Sequence, residues 1–244
     1  MDFGGEYAAN VDAVLKAIWQ EERPAIDEAG RMLARSLEAG GMLYVFGCGH
    51  SHMIEEELFY RAGGLGAVCP LFESSTMLHE GAAKSSRIER MSGYAELVID
   101  RYDIGPKDTF LAVSSSGINP FIIEMAQLAG AKGARVVGIS AFGYRQKPSR
   151  HKDGLHLPDV CDLCIDNHVP VGDASVTVCE DGTKAGPVSS IASLAIADAM
   201  VLAACQELRR RGIDPEVFRS GNCDGGDAYN GRLLRRFGAR VRSL

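Results

Sequence analysis

Apolar positions recur at helical spacing over the first forty residues and at strand spacing after them. Val11, Val14, Leu15, Ile18 and Trp19 share one helical face, and Ile26, Ala29, Leu33 and Leu37 share another. Pro24 stands in a first turn, where a helix tolerates it, and Gly40-Gly41 ends the pattern, so residues 1–40 read as a helical hairpin. That hairpin is expected to serve packing or a dimer surface rather than an active site. From residue 42 short apolar runs alternate with helical patterns. Residues 42–46, 67–72, 108–113, 135–139 and 163–166 predict strands. Helices are predicted over 53–61, from the SSSGINP run to Leu128, and over 190–211 before Gly212. Strand, Gly- or Ser-rich turn, helix, strand is the pattern of a parallel sheet with crossover helices. The expected fold class is therefore α/β. It is a three-layer sandwich with a five-stranded parallel sheet flanked by helices, behind an N-terminal helical hairpin. A single domain over 1–244 is expected, with the hairpin at 1–40, the α/β core at 42–212 and a C-terminal tail at 213–244.

Composition changes this picture little. Apolar residues are 46% and charged residues 24% of 244, the mix of a globular protein, and a chain of this length buries a core without staples. With 26 Lys+Arg against 32 Asp+Glu the net charge is −6, which argues against nucleic acid as a partner. The cluster Arg209-Arg210-Arg211 is explained by a helix C-terminus. No membrane partner is expected: the best apolar run, 191–205, is interrupted by Ser193 and Asp198, and the polar N-terminus is no secretory signal. Seven scattered cysteines point to a cytoplasmic location with free thiols rather than a disulfide framework.

Two turns carry the candidate chemistry. Gly47-Cys48-Gly49-His50-Ser51-His52 links the first strand to a helix. Its glycines allow close approach of a ligand, and the helix end suits an anion. His52 stands where a dinucleotide fingerprint needs its third glycine, so that fingerprint is excluded. Ser114-Ser115-Ser116-Gly117-Ile118-Asn119 follows the third strand. One helix cap would explain part of it, but three hydroxyls exceed what a cap needs, and the excess suggests a phosphate site without the lysine of a P-loop. Both turns lie beyond the carboxyl ends of strands, where open α/β sheets bind ligands. The polar stretch 74–107 and the Gly-, Pro-, His- and Asp-rich stretches 141–160 and 214–231 are the loops that fit the α/β rhythm least.

The pair GCGHS and SSSGIN behind a helical hairpin resembles the sugar isomerase (SIS) domain, over residues 6–212. The overall arrangement is most similar to stand-alone, phosphoheptose-isomerase-like members of that family. Asn119 replaces the usual threonine of the second motif. The resemblance implies a small-molecule sugar phosphate as ligand. Ser114, Ser116 and Asn119, with the amides of Ser115 and Gly117, would hold its phosphate; Ser51 would add a hydroxyl and His50 would face the sugar. The run GPVSS is similar to a sugar-lining segment of the isomerase domain of glucosamine-6-phosphate synthase and nominates Ser189 and Ser190. The implied activity is aldose–ketose isomerisation through an enediol(ate), with a lactyl-etherase-type lyase or a non-catalytic phosphosugar sensor as alternatives. The sensor members carry a fused DNA-binding domain, for which residues 1–40 are too short and acidic. The resemblance also implies a homodimer or homotetramer whose subunits complete one another's sites.

Isomerisation needs a carboxylate base next to the carbonyl and a second group to open the ring. The segment after the second strand offers Glu80, in Leu78-His79-Glu80-Gly81, and Glu73. Glu80 is favoured for its loop context. Glu55, Glu56 and Glu57 are accounted for by the dipole of the helix they open. His168 is the candidate ring-opening base, with Asp173 and the Gly221–Asp227 run as further loop candidates. No metal or other cofactor is expected. Cys161 and Cys164 form one C-x-x-C without a second pair, and an odd separation on a strand would turn the two thiols to opposite faces.

Overall fold

The computed structural model describes residues 1–241, 243 and 244. Two helices open the chain, α1 (Phe3–Glu21) and α2 (Arg23–Glu38); Glu22 between them keeps a helical backbone, so α2 carries on from α1 through a bend, with Pro24 in the first turn of α2. The sheet contains β1 (Leu43–Gly47), β2 (Val68–Pro70), β3 (Thr109–Val113), β4 (Arg135–Ser140) and β5 (Leu163–Asp166). All of its pairings are parallel, in the order β2-β1-β3-β4-β5. Helix α3 (Met53–Leu58) follows β1; α4 (Ala82–Ile88) and α5 (Tyr94–Ile99) fill the stretch between β2 and β3; α6 (Pro120–Ala131) follows β3. A hairpin of β6 (Ala174–Thr177) and β7 (Lys184–Pro187) precedes the long α7 (Ser189–Arg210), and α8 (Gly226–Phe237) ends the fold.

Side chains alternate along each strand and so build two cores. Leu43, Val45, Leu111, Val113, Val137, Ile139 and Ile165 face one layer, made with α1, α2, α3 and α7. Tyr44, Phe46, Phe110, Ala112 and Val136 face the other, made with α5, α6 and α8. The α/β class, the five parallel strands and two N-terminal helices are present as the pattern predicts, the helices being joined end to end at Glu22. The strand boundaries move by one or two residues, and the helix after β1 stops at Leu58 rather than Arg61, because Phe59 is already extended. The stretch 213–244 contains α8, an amphipathic helix whose Leu233 and Phe237 pack on Gly66. The β6–β7 hairpin, turned at Asp181-Gly182, has no counterpart in the sequence reading.

Helix α7 is long and apolar enough by composition to cross a bilayer. It instead packs along α2, with Ala192, Ile196, Met200 and Ala204 fully buried. The crossing depends on a missing side chain. A Cβ on Gly30 of α2 would lie 2.9 Å from both the Ala203 carbonyl carbon and the Ala204 nitrogen. Gly30→Ala should therefore destabilise the protein by about 1–3 kcal/mol through overpacking, although alanine is the better helix former. Urea unfolding of the two proteins measures the sign.

Candidate functional site

The two motif turns sit side by side because β1 and β3 are neighbours, with Gly47 in register with Val113. The chain leaves β1 toward the α3 layer and leaves β3 toward the α6 layer, so a crevice opens between the two turns. In the first turn a Cβ on Gly47 would lie 2.6 Å from the Ser51 carbonyl oxygen, so only glycine lets the turn fold back on its strand. His50 is exposed, Ser51 is half-buried, and His52 is buried against the Gly49 carbonyl with its Nε2 3.4 Å from Glu56.

Glu55 departs from the dipole reading. It is 1% exposed, its Oε1 accepts the Gly47 N–H at 2.8 Å, and its buried Oε2 has no hydrogen-bond partner among the described residues. Burial pushes its carboxyl well above the usual range, only partly opposed by the Gly47 bond. Glu56 and Glu57 do pair, with His52 and Arg61.

The serine turn divides its labour. The Ser114 hydroxyl accepts the Gly117 N–H at 3.1 Å and shapes the turn, which occupies the Gly117 amide. The Ser115 hydroxyl accepts from the buried Asn167 side chain at 3.1 Å. Among the described residues, the Ser116 hydroxyl and the Ser115 and Ser116 amides make no intramolecular hydrogen bond. Gly117 has φ 60, and a Cβ there would lie 2.6 Å from Ser140 Oγ. Its carbonyl accepts the Leu157 N–H at 2.8 Å, so the 141–160 stretch is fastened to the turn. Asn119 stands at the N-cap of α6 but does not cap it with its side chain; its Oδ1 accepts from Arg150 Nη1 at 2.8 Å. The cap explanation of this turn is thereby weakened.

Three carboxylates follow β2, in different surroundings. Glu80 is exposed and pairs with Lys84 at 3.4 Å. Glu73 is buried and fully engaged, accepting from Ser75 Oγ at 2.6 Å, Tyr94 OH at 2.9 Å and Arg101 Nη1 at 3.1 Å. Glu89, which the sequence reading passed over, lies just after α4 and meets the Asn119 side chain and the Arg150 charge. Burial raises its pKa, partly offset by Arg90, Asn119 and Arg150. The only sequence signal was Ile88, an apolar position ending a polar helix, which marks where that helix turns inward. Arg150 carried no signal at all, since it reaches the turn through loop packing.

Beyond β5, His168 has φ 55 and Asp173 has φ 67, two strained non-glycine positions in one short loop. His168 Nε2 lies 3.2 Å from Glu22 Oε1, at the junction of α1 and α2. Asp173 accepts from the Val188 and Ser189 amides at 2.9 and 2.8 Å and from Ser189 Oγ at 2.6 Å, so it caps α7 and occupies the Ser189 hydroxyl. Ser190 is half-buried beside it. The Gly221–Asp227 run leads into α8. No cluster of three or more His, Cys, Asp or Glu converges among the described residues. Cys161 and Cys164 do not face apart as their spacing suggested. Cys161 lies ahead of β5, where the chain bends, and both sulfurs lie over Gly138.

Residues 6–141 match the SIS domain family, and the chain belongs to that family. Its sequence is 40% identical to a protein of Geobacillus thermodenitrificans called UPF0309 protein, over 97% of this chain and 95% of that one. In fold it is similar to phosphoheptose isomerase GmhA from Neisseria gonorrhoeae, with TM-score 0.54 and 14% identity over 80% of this chain and 94% of that one. It is also similar to the Vibrio vulnificus NanR protein, solved with ManNAc-6P, with TM-score 0.51 and 16% identity over 98% and 68% of the respective chains.

Glu55 makes a pH-dependent prediction. Its native pKa is raised above the unfolded value, so its contribution to stability is complete below the unfolded pKa and is lost as pH rises toward the native one. Glu55→Gln keeps the Gly47 bond without that loss. The variant should gain about 1–3 kcal/mol on the wild type between pH 5 and pH 8, measured by urea unfolding at each pH.

Proposed function

We propose that this chain binds a sugar phosphate in the crevice between the two turns and interconverts its aldose and ketose forms through an enediol(ate). The observation that carries the reading is that, among the described residues, the Ser116 hydroxyl and the Ser115 and Ser116 amides make no intramolecular hydrogen bond, in the turn that leads to Asn119, whose side chain meets the half-buried Glu89. Ser116 and those amides take the phosphate, with Ser114 and Gly117 shaping the turn and Ser51 adding a hydroxyl from across the crevice. The Asn119–Arg150 pair places a cation at its rim. Glu89 removes the proton next to the carbonyl and returns it to the adjacent carbon; a carboxyl raised by burial suits that task near neutral pH. Glu80 and Glu73 are the competing carboxylates, one solvated and one committed to four donors. His168, steadied by Glu22, opens the ring, while His50 and Ser190 contact the sugar and Ser189 acts through Asp173.

The same reading places the protein in the cytoplasm as a homo-oligomer. The exposed Ile191 and Leu202 of α7, with Trp19 of α1, form the contact face between copies.

Two measurements test this. A sugar phosphate at about 100 times its Kd should stabilise the fold by about 2.7 kcal/mol in a thermal-shift assay, and Ser116→Ala should remove the effect. Incubated in D2O, the bound aldose phosphate should exchange its C2 proton, or the ketose a C1 proton. Glu89→Gln should slow that exchange about 10²–10⁴-fold, with Glu80→Gln nearly unchanged. A tight-binding sugar phosphate that shows no exchange would overturn the isomerase reading in favour of a sensor. Loss of a C3 substituent in place of interconversion would make the protein a lyase.

A further inference from the structure

Two thiols meet behind the serine turn. Gly138, in β4, stands opposite Cys164 in β5. A Cβ on Gly138 would lie 2.7 Å from Cys161 Sγ and 2.9 Å from Cys164 Sγ, so the bare glycine is what leaves the two sulfurs a common pocket. The Cys161 thiol is within hydrogen-bonding reach of Cys164, and both residues are half-buried, open to a small reagent. The hydrogen bond with Cys164, and then burial, push the Cys161 thiol up, which suits Cys161 to the role of resolving thiol. Cys161 Sγ also donates to the Leu157 carbonyl at 3.2 Å. The Leu157 N–H in turn donates to the Gly117 carbonyl at 2.8 Å, and the fully buried Leu157 side chain packs against Gly117. One residue therefore links the dithiol to the turn.

We propose that Cys161 and Cys164 are a reversible dithiol, oxidised by a peroxide to a disulfide over Gly138, and that closing this bond releases the Leu157 carbonyl and loosens the serine turn. The Cys164 thiolate attacks one peroxide oxygen, forming a sulfenic acid and expelling hydroxide. Cys161 sulfur then displaces the sulfenic oxygen, which leaves as water with the Cys161 proton. Two thiols and one peroxide give one disulfide and two waters, and an external dithiol reverses the step.

The test needs no sugar ligand and so stands apart from the proposed activity. Cys179 shares the tryptic peptide 153–184 with the pair, so the full-length Cys179→Ser protein is used. After hydrogen peroxide and an alkylating agent, that peptide should have lost two hydrogens and carry no label, and dithiothreitol should restore labelling of both sulfurs. Amide hydrogen exchange at Leu157 should rise about tenfold in the oxidised protein. Adding Cys161→Ser, whose hydroxyl can still donate to Leu157, should abolish both changes. Full labelling after peroxide, oxidation that stops at a sulfinic acid, or a disulfide that leaves Leu157 exchange unchanged would overturn the proposal.

Discussion

The parallel pairing of β1 with β3, in a register that sets Gly47 beside Val113, is the constraint from which the rest of the ligand end follows. The two strands send their crossovers to opposite faces of the sheet, so the turns that leave them must separate and open a crevice. Neither turn could take its path with ordinary residues at its hinge. A side chain at Gly47 would strike Ser51, and one at Gly117 would strike Ser140. Backbone polar groups are thereby exposed at the end of a buried sheet without breaking its hydrogen bonding.

Around this pair the fold adds support from a distance. Asn167, fully buried, fastens β5 to both Ser115 and Ser193, tying the serine turn to α7. Asp173 holds the start of α7, and Glu22 reaches His168 from the junction of the first two helices. Leu157 fastens the long loop after β4 to Gly117. The strain at His168 and Asp173 is thus maintained by contacts from two distant parts of the chain, Glu22 and the start of α7.

The sequence was most legible where a single local rule sufficed. Buried strands read as unbroken apolar runs, the two N-terminal helices read from 3.6-residue spacing and Pro24, and the two turns read from glycines and serines at strand ends. It was least legible where a role depends on partners far along the chain. Glu89 is distinguished from Glu80 only by burial against Asn119 and Arg150, which come from two other loops. Glu55 looked like an ordinary first-turn acid until its side chain folded back to Gly47. The convergence of Cys161 and Cys164 escaped the spacing rule because that rule holds only within a strand, and the chain bends just before β5. The helix α8 was hidden by its Gly- and Asp-rich start, its packing face being narrowed to Leu233 and Phe237.

Glu55 and Glu89 give the crevice an electrical character beyond their separate roles. Burial raises the pKa of both carboxyls, Glu55 bonded to Gly47 in the first turn and Glu89 beside Asn119 after the second. On the proposed reading, an anion bound between the turns would push both pKa values up further, and Glu89 would serve as base in the fraction that stays ionised. Occupancy by such an anion and proton uptake at these carboxyls would then be linked, each favouring the other.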